Sequence, residues 1–328
     1  MRVCVRPLAV LITVIGGVVF SAPVASGSAY PGGNGIIVFE RAGKIYYGVE
    51  GNPGAARRVP LPAGLNGEEP QISPNGRSIV FNVGRFSSRQ FTANGLVVAT
   101  LVGTRLRLSS PTLAHRSRFW GTDTPTWSPD GRRIAFGCTL RQRLRSPTEI
   151  CSVGANGLGW RQLTRCNCIS AGSPDLTWSR RNEIAFEHRR SIFKIPASGG
   201  APRQMTDVNN GPGGGSDGYH QNPTWAPTGD ALAYATANGD IQVVSRAGGA
   251  SARILEHSDA NSIVYSFLEP SWSPDGRRMA VRVVALSGAP LTPGIWTFAV
   301  SGGDFRQVSS NPRADMNPDW GPLGPLSR

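Results

Sequence analysis

Apolar runs of three or four residues recur along this chain, each set between Pro, Asp, Asn or Gly. Ser78-Ile79-Val80-Phe81, Ile134-Ala135-Phe136, Ile184-Ala185-Phe186, Ala231-Leu232-Ala233-Tyr234 and Met279-Ala280-Val281 are such runs. Runs this short, framed by turn formers, predict β-strands rather than helices. A turn rich in Pro, Asp, Asn or Gly precedes each of them, degenerate in Ser179-Arg180-Arg181-Asn182, and Trp stands just before most of these turns. Pro125-Thr126-Trp127-Ser128-Pro129-Asp130-Gly131 returns as Pro270-Ser271-Trp272-Ser273-Pro274-Asp275-Gly276, with weaker copies around Ile72, Trp178, Trp225 and Trp320. Between these six positions the intervals are 55, 51, 47, 47 and 48 residues. A fixed period near 50 residues marks a repeat architecture.

Each unit predicts four strands, A to D. Strand A carries the Trp, and the short apolar run is strand B. Strand C is Glu149-Ile150-Cys151-Ser152-Val153, Ser191-Ile192-Phe193-Lys194-Ile195, Asp240-Ile241-Gln242-Val243-Val244 or Gly294-Ile295-Trp296-Thr297-Phe298. Strand D is Arg161-Gln162-Leu163-Thr164, Arg203-Gln204-Met205-Thr206 or Arg306-Gln307-Val308-Ser309. Four antiparallel strands per unit form a propeller blade, and blades bury both faces only when packed side by side. Trp320 opens a blade that lacks its remaining strands. Near the N-terminus, Gly35-Ile36-Ile37-Val38-Phe39, Lys44-Ile45-Tyr46-Tyr47 and Arg57-Arg58-Val59-Pro60 supply strands B to D without an A. The expectation is an all-β, six-bladed propeller over residues 30–328, closed by the C-terminal strand A pairing with the N-terminal strands. The Trp residues and the strand-B aromatics are expected between blades.

The Pro-x-Trp-Ser-Pro-Asp-Gly turns and the Arg-Gln-Leu-Thr type of strand D resemble the propeller repeat of the TolB family, over roughly residues 35–322. The resemblance covers the propeller alone. TolB proteins carry an α/β domain ahead of it, and the stretch before Gly35 is too short for one. The resemblance implies a binding or scaffold module, with acidic or amide residues favoured at the channel mouth.

Arg2 and Arg6, an apolar run at residues 8–20 and small residues from Ala25 to Ala29 read as a signal peptide spanning residues 1–29. The run is shorter than the ~20 residues of a membrane-spanning helix. No further apolar span follows, so no integral membrane segment is expected after processing. This places the protein in the periplasm, cell envelope or extracellular space, as a monomer. Formal charge is +13, or +11 without Arg2 and Arg6. Lys44 and Lys194 are the sole lysines. So strong an arginine bias reads as the mark of a GC-rich genome, and nucleic acid is not expected as a partner. Cys138, Cys151, Cys166 and Cys168 fall in one blade. An even number in an exported chain suggests disulfides, with Cys138–Cys151 the leading pair because strands B and C are neighbours.

The long connections at residues 84–94, 139–148, 110–122, 207–220 and 256–267 all read as B–C or D–A loops, on one rim. Variable loops on a rigid scaffold concentrate binding. Three residues before each Trp-type position stand Glu69, Thr124, Asp175, Asn222, Glu269 and Asn317, with Asp123 beside Thr124. Sixfold placement predicts a partly acidic ring at the channel mouth. The plainer role of such residues is to cap loop backbone. Trp120, Tyr219 and all four histidines fall in or beside this rim: His115, His188, His220 and His257. The leading expectation is a non-catalytic module without a cofactor, binding a protein, peptide or envelope polymer through the D–A/B–C face and channel mouth. The alternative is a metal-assisted carbohydrate lyase or hydrolase, with His188, His220, Gln221 and His257 holding a divalent metal.

Overall fold

The computed structural model describes residues 32–61, 66–87, 90–102, 105–108, 121–139, 148–165, 175–209, 211, 218–257, 265–285, 291–309 and 315–324. The signal-peptide segment, His115, Trp120, Cys166 and Cys168 lie outside these residues.

Six four-stranded antiparallel sheets form the propeller. Blade 1 joins the two ends of the chain: Asp315–Pro322 is its strand A, followed by Asn34–Arg41, Lys44–Gly48 and Arg57–Arg58. Blade 2 is Asn66–Ile72, Ser78–Ser87, Gln90–Val102 and Arg105–Leu108; blade 3 is Gly121–Trp127, Arg133–Thr139, Thr148–Gly154 and Arg161–Gln162. Blade 4 is Thr177–Trp178, Glu183–His188, Ser191–Pro196 and Arg203–Gln204; blade 5 is His220–Trp225, Ala231–Thr236, Ile241–Ser245 and Ser251–Leu255. Blade 6 is Tyr265–Trp272, Arg278–Ala285, Gly294–Ala299 and Arg306–Gln307.

The recurring Ser-Pro-Asp-Gly turn is a self-contained hydrogen-bond unit. Ser128 Oγ donates to Asp130 Oδ1 at 2.6 Å, and the same carboxylate accepts the Arg132 N–H at 3.0 Å. Ser128 Oγ in turn accepts the Arg133 N–H at 2.8 Å. Gly131 follows at φ +67°, a conformation that costs Gly little. Ser273, Asp275 and Gly276 repeat the arrangement in blade 6. The hydroxyl that ends each Arg-Gln-x-Thr/Ser strand also has a fixed partner. Thr164, Thr206 and Ser309 accept the N–H of Ile150, Ile192 and Ile295, tying the sheet's outer edge to strand C.

Six apolar clusters form among the described residues, each drawn from two neighbouring blades. Between blades 2 and 3, Val80, Leu96 and Val98 meet Trp127, Ile134 and Phe136. Trp127, Trp178, Trp225, Trp272 and Trp320 are all buried, as expected of inter-blade core. The ring closes where expected: Trp320 pairs with Ile37 and Asp319 with Val38. The cluster beneath this seam unites Ile37, Phe39 and Trp320 with Ala280, Ile295 and Val308 of blade 6. Cys138 and Cys151 form a disulfide across strands B and C of blade 3, with Cα atoms 5.9 Å apart.

One connection differs from expectation. Residues 84–94 do not form a loop throughout. Strands B and C of blade 2 run on as a ladder, with Gly84 opposite Ala93, Arg85 opposite Thr92 and Phe86 opposite Phe91. Continued pairing satisfies backbone groups that a loop would leave to solvent.

Because Trp320 serves the seam, its loss should weaken the whole ring. Trp320→Ala is expected to cost about 3–5 kcal/mol, the range for deleting a buried aromatic side chain. Guanidinium unfolding would show it as a lowered midpoint in one cooperative transition.

Candidate functional site at the channel mouth

Strand A is the innermost strand of each blade, so the six converge on the axis. In blades 1, 2, 3, 5 and 6 the pairing of strands A and B breaks in a β-bulge three residues before the Trp-type position. A bulge leaves its extra residue unpaired and re-aims the side chain. The bulged residues are Glu69, Thr124, Asn222, Glu269 and Asn317, and Asp175 holds the same place in blade 4. All six adopt the left-handed conformation, with φ between 37° and 52°. That conformation is uncommon outside Gly and costs non-Gly residues free energy. In five of the six, Pro follows. The Glu/Asn/Thr-Pro step is the sequence signal for the bulge, and Asp175, followed by Leu176, is the one ring position without it. Side chains of all six, with the residues that follow them, line the mouth of the channel.

Hydrogen bonds run from blade to blade around the ring. The Glu69 carboxylate accepts the Thr124 N–H at 2.6 Å and the Asn82 amide at 2.5 Å. Asp175 accepts the Asn222 side-chain amide at 2.8 Å and its backbone N–H. Glu269 accepts the Asn317 N–H at 2.5 Å and pairs with Arg282 at 3.0 Å. Asn317 reaches Glu40 at 3.3 Å, and Glu40 accepts the Glu69 N–H. The ring residues therefore cap the backbone of the next blade as well as face the channel. One step deeper, residues just before the Trp positions form a second set of links. Thr126 Oγ1 accepts the Trp178 N–H, Thr177 the Trp225 N–H, Ser271 the Trp320 N–H and Asp319 the Ile72 N–H. Thr124 differs from its neighbours, because its buried Oγ1 has no hydrogen-bond partner among the described residues.

Carboxyl groups crowd this mouth beyond the residues that the spacing picks out. Glu40, Glu68 and Glu187 join Glu69, Asp123, Asp175 and Glu269, and Asp319 lies deeper. Burial disfavours the charged form of a carboxyl, and like charges nearby add to the effect. Burial, with Glu40, Glu69 and Asp123 nearby, pushes Glu68 up to about 8. Burial also raises Glu40 and Asp123 to about 7, with Glu69 adding to both. Asp175 and Glu269 are raised mainly by burial too, Glu269 despite its bond to Arg282. Glu68 was legible as the neighbour of Glu69. Glu40 and Glu187 sit in strand B of their blades, each directly after the strand-B aromatic, Phe39 or Phe186. The same offset holds Asn82 and Arg282, which bond Glu69 and Glu269, and is the signal that could have found them.

The remaining candidates do not gather at one point. Tyr219 is exposed on the D–A/B–C rim, where its carbonyl accepts the Ala237 N–H. His188 is buried at the end of strand B in blade 4, edge-on to Phe193 with ring centres 5.0 Å apart. His220 Nδ1 meets Thr206 Oγ1 at 2.8 Å, and its ring lies against Tyr234. Gln221, beside it, pairs with Ala235 across the sheet. His257 Nδ1 lies 2.6 Å from the buried Asp240, which also bonds Arg253. Among the described residues no group of three or more His, Cys, Asp or Glu is placed to hold a metal ion.

The architecture has clear counterparts among solved structures. TolB from Acinetobacter baumannii superposes with a TM-score of 0.63 at 15% identity, over 88% of this chain and 67% of that one. The fold is that of the TolB propeller. A nidogen/laminin complex matches with a TM-score of 0.62 at 11% identity, over 88% of this chain and 99% of the other. Oligogalacturonate lyase in complex with manganese matches at 0.53 and 12% identity, over 81% and 70%. No family model matches the sequence, and no curated protein matches it significantly. At these identities the shared property is the fold.

The buried acids link stability to pH. Between the ordinary value of 4.5 and about 8 for Glu68, the folded chain holds a proton that the unfolded chain has released. Stability falls as pH rises wherever the unfolded state binds fewer protons. The melting temperature should therefore drop between pH 5 and pH 8, and Glu68→Gln should flatten that slope. Differential scanning calorimetry in buffers of matched ionic strength would read both.

Proposed function

We propose that this protein is an exported, non-catalytic binding module. It takes a basic or amide-rich segment of a protein or peptide, or a cell-envelope polymer, at the channel mouth and the D–A/B–C rim. One observation carries the reading: six non-glycine residues hold a left-handed backbone at the same point of six blades, and half of them place a carboxylate at one opening. Backbone strain repeated at one locus concentrates at functional sites. Thr124 Oγ1 adds a buried hydroxyl with unused hydrogen-bonding capacity at that opening. A protonated amine or guanidinium entering the mouth would keep the raised carboxyls ionised, so binding and proton release would be coupled. A TolB propeller and a nidogen/laminin complex share the architecture, which supports the binding role at the level of fold.

A second reading has its own observation. His257 is held through Nδ1 by a buried carboxylate, the support that metal-ligating histidines commonly have, and a manganese-bound lyase shares the fold. Metal that stays with the purified protein and is lost in His220→Ala and His257→Ala would favour that chemistry.

Crosslinking pull-down from the native cell envelope tests the binding role. Glu69→Gln with Glu269→Gln retains an oxygen to accept the Thr124 and Asn317 N–H groups while removing two charges. Capture of the partner should fall about tenfold, as expected for losing a charge-assisted bond, with the melting temperature little changed. Undiminished capture would place recognition elsewhere.

A further inference from the structure

The channel mouth is acidic, whereas the rim away from it presents a run of exposed arginines; on the mouth side Arg189 and Arg190 are exposed as well. The A–B and C–D turns share the rim away from the mouth, and direct contacts confirm this: the Ala155 N–H donates to the Arg132 carbonyl and Arg133 Nη2 to the Gly159 carbonyl. Arg58, Arg77, Arg132, Arg161, Arg180 and Arg277 are exposed on this rim. None forms an ion pair with a described residue. The nearby acids Glu50, Glu183, Asp230 and Asp304 are already paired with Arg278, Arg306, Arg246, Arg181 and Lys194. Asp130 and Asp275, in the same turns as Arg132 and Arg277, are held by the Ser128 and Ser273 hydroxyls and the turn backbone.

Apolar side chains stand exposed among these arginines. Four large hydrophobic side chains are exposed among the described residues, and three are on this rim: Leu158 at 70%, Leu323 at 63% and Val49 at 40%. Leu158 tips the C–D turn of blade 3, Val49 follows strand C of blade 1, and Leu323 follows the closing strand A. Leu323, Arg77, Arg132 and Leu158 occupy successive turns. A Cβ on Gly76 would lie 3.1 Å from Gly324 Cα, and one on Gly131 would lie 3.6 Å from Pro74. The chain also enters the fold here, with the Gly33 carbonyl accepting the Leu323 N–H.

We propose that the A–B/C–D rim docks on a bilayer surface containing anionic phospholipid. The arginines would meet lipid phosphates, with Leu158, Leu323 and Val49 entering the interface. Arginine forks suit phosphate oxygens. Basic residues near an anionic leaflet add their attractions, and exposed apolar tips gain by leaving water. The lipid phosphate accounts for the charge and the acyl boundary for the leucines; a soluble polyanion accounts for the charge alone. Docked this way, the acid-lined mouth faces away from the membrane. The proposal is independent of what the mouth binds.

Vesicle flotation of the chain from Tyr30 onward, which contains every strand of the ring, tests it. The protein should float with vesicles about one third phosphatidylglycerol, should not float with phosphatidylcholine alone, and should release as salt rises. Arg77→Glu, Arg132→Glu, Arg180→Glu and Arg277→Glu together should lower partitioning at least about tenfold. Leu158→Ser with Leu323→Ser should lower it several-fold, about as expected for removing two inserted tips. Both sets lie at exposed turns, and unchanged melting temperatures would confirm folding. Glu69→Gln with Glu269→Gln should leave flotation unaltered. Equal binding to neutral and anionic vesicles, or flotation indifferent to the arginine reversals, would overturn the proposal. So would binding to dextran sulfate as tight as to vesicles with no effect of the leucine substitutions, which would identify a soluble polyanion as the partner.

Discussion

Burial of each blade's two faces against its neighbours is the constraint from which the remaining features follow. A four-stranded sheet of this size has an apolar surface on both sides, and water can be excluded from both only between two other sheets. Six such sheets satisfy the condition in a ring with no end. The last blade must then be completed by strands from both chain termini. The cluster of Ile37, Phe39, Trp320, Ala280, Ile295 and Val308 shows how the two ends reach a common core. Sealing the sheet also removes an exposed edge, which would otherwise template association.

Closure has a second consequence at the axis. Six strands A are brought within reach of one another, and their N–H groups near the bulges must find acceptors. Side chains of the preceding blade provide them, in two tiers: carboxylates at the mouth and mostly hydroxyls below. The same carboxylates are thereby held close together and partly desolvated, which raises Glu40, Glu68 and Asp123. Structural capping and ligand readiness are thus two aspects of one arrangement. A cation arriving at the mouth would relieve the repulsion that the caps create.

The opposite rim shows what a repeat does to charge. A turn that ends in Asp-Gly-Arg or Ser-Arg-Arg, used several times around a ring, multiplies one arginine into a basic annulus. The acids at the mouth come from a different offset in the same repeat and accumulate at the other opening. A net positive chain consequently carries an acidic aperture on one side and a basic, leucine-tipped surface on the other.

Periodic positions were the ones legible in the sequence. The spacing of Trp127, Trp178, Trp225, Trp272 and Trp320 determined blade number, strand order and closure, because a repeat that must stack has few ways to do so. The offset of three residues located the ring from Glu69 to Asn317 for the same reason, and adjacency of strands B and C brought Cys138 to Cys151. Tertiary structure alone decided what depends on neighbours distant in sequence. Glu40 joins the ring from strand B of the seam blade, a contact spanning 277 residues to Asn317. His188, His220 and His257, which fall on one rim by sequence, lie on different strands and in different surroundings: His188 against Phe193, His220 against Thr206 and Tyr234, and His257 on Asp240. Strands B and C of blade 2 extend to Ser87 and from Gln90 because their register permits pairing, which composition does not reveal. The arginine excess, uninformative as a count, became a surface only when the ring set its turns side by side. Local patterns record what a residue contributes to its own strand. Desolvation, charge crowding and surface polarity are sums over residues that only folding brings together.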